Sequence, residues 1–259
     1  MRIALGISYQ GTHYHGWQAQ PQLVTIQSTL EAAIARIANH PVELSCAGRT
    51  DKGVHALGQV GHFDTVSHRE KRGWLLGINT YLPQDIRVDW VEEVGEAFHA
   101  RFSALFRRYR YIIRNHSAPS ALWNQYTTHY YRPLDEQRMQ EAAMYLIGEH
   151  DFSAFRASSC QSKTPIREIT ELRVFRQAHR VMIDITANAF LHHMVRNIAA
   201  VLMLIGSGKQ SPKWAEEVLR TCDRSQAGVT APPNGLYLCE VGYPNPFRLP
   251  SPQAEGWID

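Results

Sequence analysis

The sequence has no run of apolar residues near the roughly 20 that a helix needs to cross a bilayer. The opening stretch, 1–17, is apolar only briefly before Tyr, Gly and His residues follow, and it has no small-residue cleavage site. A signal peptide is therefore not predicted. The four cysteines are far apart and form no CxxC pair, which argues against a disulfide framework and a cysteine-bound zinc. We expect a cytoplasmic protein with reduced thiols and no membrane-spanning segment.

Motifs for metals and cofactors are also scarce. Among 13 histidines the only adjacent pair, at 192–193, lacks the i,i+4 spacing that places two imidazoles on one helical face. Residues 48–53 open like a phosphate loop, but Val54 and His55 stand where Lys and Ser or Thr are required. A strand rather than a helix is expected to follow, so the helix N-terminus that binds phosphate is missing. We predict no metal ion and no cofactor.

The charge is distributed unevenly along the chain. The net charge is +3, yet residues 1–104 have a net charge of −1 and residues 105–245 a net charge of +5. A basic excess in one half indicates a polyanionic partner, although a basic surface that only favours solubility explains it equally well. We place a boundary near residue 104 and regard 246–259 as a Pro-containing C-terminal tail.

The hydrophobic periodicity predicts strands and helices in both halves. Strands are predicted at 2–9, 42–46, 58–66, 86–94, 105–115, 168–177, 180–187 and 236–243, and helices at 25–38, 69–80, 135–148, 191–206 and 213–221. Hairpin-like strand pairs alternate with helices, which favours an α+β fold with mixed, mainly antiparallel sheets over a doubly wound parallel fold.

The segment GRTDKGVHA, residues 48–56, holds the first candidate site. Its glycines permit a tight backbone path and a close approach of a ligand. Arg49, Thr50 and Asp51 lie between them, and Lys52 follows. A plain turn in which Asp51 caps nearby amides is one interpretation. A catalytic carboxylate is the other, because an ordinary hairpin tip does not call for this set of side chains.

The strand FRRYRYIIRN, residues 106–115, is the second candidate. Side chains alternate between the faces of a strand, so Tyr109 and Tyr111 share one face and Arg108, Arg110 and Arg114 the other. Such a strand can stack a base on its aromatic face and hold phosphates on its cationic face. A half-buried strand with a solvated basic face is the alternative.

The helix NAFLHHMVRNIAAVLMLIG, residues 188–206, is the third candidate. Asn188 is predicted as its N-cap, and His192, His193 and Arg196 group one turn apart beside an apolar stripe. An arginine at the edge of the core needs a carboxylate partner, whereas an arginine on the polar edge does not. The segment alone leaves both interpretations open.

Taken together and in order, GRTDKGVHA, RRYRY, FRA with CQSKTP (155–165), NAFLHHMVRN and GLYL (235–238) resemble the tRNA pseudouridine synthase A family. The resemblance extends over residues 2–245. It implies isomerisation of uridine to pseudouridine at nucleotides 38, 39 and 40 of the tRNA anticodon stem-loop. It also implies two related α+β halves flanking a basic cleft, a homodimer that binds tRNA, and no cofactor.

The same resemblance implies roles for individual residues. Asp51 corresponds to the catalytic aspartate and is predicted to be the nucleophile, while Tyr109 packs against the target base. Arg49 and Arg196 belong to the same pocket, with Arg196 as the partner of the aspartate, and Leu236 lines the nucleotide pocket. An arginine within hydrogen-bonding reach would favour the ionised carboxylate.

The basic residues around these positions are predicted to contact RNA phosphates: Arg108, Arg110, Arg114 and Lys52. The family commonly has Ala where this chain has Lys52, so that lysine either binds phosphate or points to solvent. Whether Asp51 attacks C6 or C1′ of the nucleotide, or abstracts a proton, is left open by the sequence.

Two other functions compete with the isomerase. A non-catalytic RNA-binding module would use the basic strand and its tyrosines. It does not explain Asp51, because a carboxylate next to a phosphodiester hinders binding. A carboxylate-dependent glycosidase needs a second acid. Its nearest candidates, Glu43 and Asp64, lie on the flanking predicted strands rather than in the loop.

Overall fold

The computed structural model describes residues 1–250. These residues form two compact units: unit 1 comprises residues 1–105 with 237–250, and unit 2 comprises residues 106–236. The division predicted after residue 104 lies one residue from this boundary. The last strand, assigned from the sequence to the second half, instead clusters with unit 1. The predicted tail lies partly outside the described residues.

The regular elements of the described residues are strands and α-helices in a mixed order. The strands are β1 (Arg2–Tyr9), β2 (Ser45–Cys46), β3 (His55–Asp64), β4 (Ile86–Val94), β5 (Phe106–Asn115), β6 (Thr128–Tyr130), β7 (Gly148–Asp151), β8 (Ile166–Gln177), β9 (Arg180–Ala187) and β10 (Leu236–Gly242). The helices are α1 (Ile26–Ala38), α2 (Lys71–Tyr81), α3 (Glu136–Met144), α4 (Met194–Gly206) and α5 (Trp214–Thr221). The predicted α+β class is confirmed.

The sheet of unit 1 has the strand order β4-β1-β3-β10, with β2 paired to β3. β1 is antiparallel to both β3 and β4, whereas β10 runs parallel to β3. Ile3, Leu5 and Ile7 of β1 are almost fully buried, as a central strand requires. α1 packs on α2, and α2 packs on β4.

The sheet of unit 2 has the strand order β5-β9-β8-β7, with β6 paired to β5. The pairings along this order are antiparallel, and the β5–β6 pair is parallel. α3 packs on β8 and on α4. Within α4 every residue except Arg196 and Leu204 is buried, so this helix is a central part of the core of unit 2.

The helix predicted at 25–38 is confirmed, and its first turn shows why the sequence specifies it. The Thr25 side chain accepts from the Ser28 amide, while the Ser28 hydroxyl accepts from the Thr25 amide. This reciprocal capping satisfies two amides that the helix cannot pair itself. Asn39 ends the helix in the left-handed conformation, with a φ of 59°.

Several predicted boundaries are wrong. The strand at 42–46 is reduced to the two residues of β2, and the helix predicted at 135–148 ends at Met144. α4 starts at Met194 after His193, so Asn188 is not its N-cap. The Asn188 side chain instead accepts from the Glu168 and Ala189 amides, in the chain segment that follows β9. Asparagine is favoured both at helix N-caps and in turns, so the sequence alone does not distinguish the two roles for Asn188.

Within the described residues, the helices are too short and insufficiently apolar for any of them to cross a membrane.

Gly11 lies where two backbone segments of unit 1 come close together. A Cβ on Gly11 would lie 2.0 Å from the Val54 carbonyl oxygen. We expect Gly11→Ala to lower the free energy of unfolding by about 1–3 kcal/mol, because backbone cannot move aside as a side chain can. Urea denaturation measures the change. Gly95→Ala is the matched control, since nothing lies within 4 Å of its added Cβ. Equal stability of the two variants would contradict the prediction.

His62 of β3 is a buried histidine, with 5% of its surface exposed. Its Nδ1 accepts from the Ala100 amide, which requires an unprotonated Nδ1. Burial, with smaller contributions from the charges of Arg2 and His99, lowers the pKa of His62 from 6.5 to about 4. The imidazole is therefore neutral in the folded protein over a pH range in which the unfolded chain binds a proton.

Acidification should consequently destabilise the fold through His62. The unfolded chain takes up the proton below about pH 6.5 and the native state does not, so this part of the stability is lost as the pH falls. From about pH 7 to about pH 5 the loss should approach about 2 kcal/mol. His62→Gln should remove it, whereas exposed His68→Gln should not. Urea denaturation at a series of pH values measures both, and parallel curves for the His62 variant and the wild type would refute the prediction.

Candidate functional site

The Asp51 loop connects β2 to β3 in unit 1 and contains a tight turn. The Val54 amide donates to the Asp51 carbonyl at 3.2 Å, and Gly53 has a φ of 81°, a conformation that favours glycine. β3 begins at His55, inside the GRTDKGVHA motif, so the turn is anchored directly to the sheet. Asp51 is half-buried, whereas Arg49 and Lys52 are exposed.

A buried amide, that of Gln59 on β3, fixes the start of this loop. Gln59 has no exposed surface, and its Nε2 donates to the Gly48 carbonyl at 2.6 Å. Its Oε1 accepts from the Gly48 amide at 3.4 Å, and its Nε2 also lies 3.4 Å from the Tyr9 hydroxyl. The Tyr9 hydroxyl lies 2.7 Å from Thr50 Oγ1. The residue before Asp51 is thereby tied through two side chains to the central strands.

The segment 11–17 supports the other side of the loop. The Trp17 amide donates to the Thr50 carbonyl at 2.9 Å, and the Gly11 amide donates to His55 Nδ1 at 3.1 Å. Trp17 is almost fully buried, which anchors the segment. Lys52 Nζ lies 3.5 Å from His15 Nε2. The backbone around Asp51 is thus held from two directions, as positioning of a reactive group requires.

Tyr109 and Tyr111, predicted to share a face of β5, are both buried in unit 2. The Tyr109 ring packs edge-to-face on Phe190, with 5.0 Å between ring centroids. The Tyr111 hydroxyl lies 2.6 Å from Thr128 Oγ1 and donates to the Pro232 carbonyl at 2.8 Å. Burial raises the pKa of Tyr111, which therefore stays protonated. Tyr111 therefore has a structural role in the core of unit 2. Tyr109 remains the candidate for contact with a base.

The arginines of β5 fall into two groups. Arg110 is buried and forms a two-pronged ion pair with Asp184 of β9, with distances of 2.5 and 2.6 Å. Its guanidinium therefore neutralises the Asp184 carboxylate on the neighbouring strand. A buried and already paired guanidinium does not fit the predicted contact with an RNA phosphate. Arg108 and Arg114 are partly exposed. Arg107, which the sequence reasoning overlooked, is buried and donates to the Asn188 carbonyl at 2.9 Å.

Arg196 lies in the first turn of α4 and is held by the segment before β10. Its Nε donates to the Ala231 carbonyl at 2.8 Å, and the Ala231 amide donates back to the Arg196 carbonyl at 3.4 Å. Its charge acts on the Tyr111 hydroxyl, which places both side chains in one region of unit 2. Leu236 is buried, and its amide donates to the Pro233 carbonyl at 2.9 Å.

Asn197, next to Arg196, was missed by the sequence reasoning. It has no exposed surface, and its Nδ2 donates to the Phe155 carbonyl at 2.7 Å. Its Oδ1 accepts from Arg224 at 3.0 Å and from Thr230 at 2.8 Å. One amide thus fixes the chain that leads to Ala231. An asparagine inside so apolar a helix is itself a signal of a required hydrogen-bond network.

The FRA–CQSKTP segment packs against the residues that precede α4. The Ala157 amide donates to the His192 carbonyl at 3.0 Å, and Ser159 Oγ lies 3.1 Å from His192 Nδ1. Partial burial opposes ionisation of the Cys160 thiol most strongly. The amides of His192 and Ser162 and the charge of Arg156 outweigh it, so the pKa of Cys160 is lowered. Two of the five motifs, FRA–CQSKTP and NAFLHHMVRN, are therefore in direct contact within unit 2.

The structure groups some of the predicted site residues and separates others. Arg49, Asp51 and Lys52 share one loop of unit 1. Arg196 and Tyr111 belong to one region of unit 2. Arg108 and Arg114 lie six residues apart on β5, or about 20 Å along an extended strand, so they cannot contact the same phosphate.

A family model described as tRNA pseudouridine synthase matches residues 6–103 and 142–244, which is most of the chain. The matched ranges contain the Asp51 loop and the segment around Arg196. The chain therefore belongs to the tRNA pseudouridine synthase family, isomerases that convert uridine to pseudouridine in tRNA.

Curated relatives are similar over nearly the full length. tRNA pseudouridine synthase A of Coxiella burnetii (strain Dugway 5J108-111) is 56% identical over 249 residues, covering 96% of this chain and 95% of that protein. The namesake of Pseudoalteromonas atlantica is 54% identical over 250 residues, covering 96% and 95%. That of Aeromonas hydrophila is 53% identical over 259 residues, covering 100% and 96%. Matches of this extent place both units within the similarity.

We expect Gln59→Leu to slow pseudouridine formation about tenfold to a hundredfold, because a displacement of about 1 Å at a reactive group has effects of that size. The leucine keeps the volume of Gln59 but leaves both polar groups of Gly48 unpaired. The affinity for tRNA should change little, since no exposed group is lost. Single-turnover assays and binding measurements at a temperature where the variant is folded test this. Exposed Gln137→Leu is the control, and normal turnover of Gln59→Leu would contradict the role.

Proposed function

We propose that this chain isomerises uridine to pseudouridine at positions 38, 39 and 40 of the tRNA anticodon stem-loop, with Asp51 as the catalytic nucleophile. Family membership supports the reaction class, and the resemblance to the A-type synthases supports the nucleotide positions. The observation that carries the residue assignment is the half-buried carboxylate on a turn held by Gln59 and Trp17, between two exposed cations.

The reaction needs what this site can supply. The bond between C1′ of the ribose and N1 of the uracil breaks, a bond between C1′ and C5 forms, and the C5 proton is lost to water. No electrons are transferred and no group is donated, so the substrate supplies every atom of the product except exchangeable protons. An ionised carboxylate can attack an electrophilic carbon of the nucleotide. Attack at C1′ and attack at C6 lead to the same product.

The residues of unit 2 have supporting roles in this proposal. Tyr109 packs against the target base, Leu236 lines the nucleotide pocket, and Arg196 supplies positive charge that favours the ionised carboxylate. Arg49 binds the substrate from the catalytic loop. The rigid attachment of Arg196 to Ala231 supports such a role, because a guanidinium held in advance loses little entropy on binding.

The proposed contacts to RNA phosphates come from Arg108, Arg114 and Lys52, which are at least partly exposed. Removing the target base from its stack costs a few kcal/mol, and phosphate contacts with base stacking offset that cost. The partner is tRNA. Assembly as a homodimer and a cytoplasmic location are further parts of the proposal, supported by the family resemblance.

Asp51→Asn tests the central assignment. With tRNA labelled with tritium at uridine C5, the wild type should release tritium into water, because C5 exchanges its proton for the bond to C1′. Asp51→Asn should release at least about a thousandfold less, since asparagine is no nucleophile, while tRNA affinity stays similar. Exposed Glu43→Gln is the control carboxylate and should behave as the wild type.

The same assay separates the competing functions. A non-catalytic RNA-binding module gives salt-sensitive tRNA binding with no tritium release from the wild type. A glycosidase releases free uracil and leaves an abasic site. Near-normal tritium release by Asp51→Asn would remove Asp51 from the mechanism.

A further inference from the structure

A short turn between β4 and β5 in unit 1, residues 98–103, is unusually well anchored. Phe98 is fully buried and packs edge-to-face on His62, with 5.9 Å between ring centroids. Arg2 Nη1 donates to the Phe98 carbonyl at 2.7 Å. The Ala100 amide donates to His62 Nδ1 at 3.2 Å. The turn is thus fixed to β1 and to β3.

His99 organises the tip of this turn. Its Nδ1 accepts from the amides of both Arg101 and Phe102, at 3.1 and 3.3 Å. Its amide donates to Ser103 Oγ and its carbonyl accepts from the Ser103 amide, both at 2.9 Å. Partial burial and the charge of Arg2 lower the pKa of His99, which preserves the neutral ring that accepting two amides requires.

This rigid turn presents an aromatic ring to solvent. Phe102 is 76% exposed, although a phenyl ring is among the side chains that gain most from burial. The ring lies 4.3 Å from the His99 ring, and the Arg101 guanidinium lies 5.7 Å from its centroid. A single exposed apolar residue is common. An exposed ring held by a hydrogen-bonded turn, with a guanidinium near it, is pre-organised to stack on a planar partner.

The position of the turn relates it to the Asp51 loop. His62, which accepts from Ala100, pairs across the sheet with Ser45, at the end of the chain segment that leads into the loop. The charges of Arg49 and Arg101 both act on the thiol of Cys46, the residue after Ser45. The turn and the Asp51 loop therefore both lie near β2.

We propose that Phe102 is a stacking platform for an unpaired base of the RNA substrate, at a nucleotide near the one that reacts. This proposal rests on the proposed function, because it assumes an RNA substrate at the Asp51 loop. Every base has a π-face and the phenyl ring has no hydrogen-bonding group, so the contact tolerates any base. The adjacent Arg101 adds positive charge close to the ring.

The test compares binding of a labelled anticodon stem-loop RNA by the full-length protein and its variants. Phe102→Ala should raise Kd by about tenfold or more, in the range found when one base-stacking ring is lost. The slope of log Kd against log salt should be unchanged, since no charge is removed. Phe102→Tyr, which keeps the ring, should bind as the wild type. The free energy of unfolding should not change, because the ring is exposed.

Tyr81→Ala is the matched control, because Tyr81 is also exposed and has the Arg36 guanidinium 5.3 Å from its ring centroid. A Kd of Phe102→Ala within about twofold of the wild type would overturn the platform, as would an equal loss in Tyr81→Ala. A changed oligomeric mass of Phe102→Ala with unchanged Kd would identify a protein contact instead. Absence of tritium release from the wild type refutes the proposed function, while the Kd comparison still decides the platform.

Discussion

The buried amide of Gln59 fixes the backbone from which the Asp51 loop begins. It satisfies both the N–H and the carbonyl of Gly48, and it reaches the Tyr9 hydroxyl, which in turn contacts Thr50. A buried amide with a fixed donor and a fixed acceptor fits one arrangement of its partners, and any other leaves polar groups unpaired at a cost of about 1–3 kcal/mol each. Because Gln59 belongs to a strand paired on both sides, a carboxylate in a loop acquires the rigidity of a sheet.

Unit 2 uses the same device for its own candidate residue. The amide of Asn197, inside an otherwise apolar helix, binds Arg224 and Thr230 and so fixes the chain leading to Ala231, which holds Arg196. In each unit the residue proposed to act on the substrate is polar and partly exposed. The residue that holds its surroundings is an uncharged amide with no exposed surface. Uncharged amides suit this task because burying them costs far less than burying an ion.

The sequence predicted the fold class, most strands and helices, and the segments of the candidate site, because periodicity and short motifs are local signals. It failed where the outcome depends on distant partners. Arg110 has the same local pattern as Arg108, and only the pairing with β9 places Asp184 opposite it. Asn188 has the chemistry of a helix cap, yet it accepts from the Glu168 amide of β8, at the end of the β8–β9 strand pair. Gln59 gave no local signal, since its partners are 11 and 50 residues away.

The parallel pairing of β10 with β3 has a consequence for how the protein is made. His55 and Ala56, which follow the Asp51 loop directly, have Tyr237 and Leu238 as their partners, and the rings of His55 and Tyr237 stack at 4.7 Å. During translation, the sheet of unit 1 is still incomplete when residues 1–105 have left the ribosome, because β10 has not yet been synthesised. That edge of β3 stays open until nearly the whole chain has emerged, so unit 2 is synthesised in full before the Asp51 loop acquires its last support.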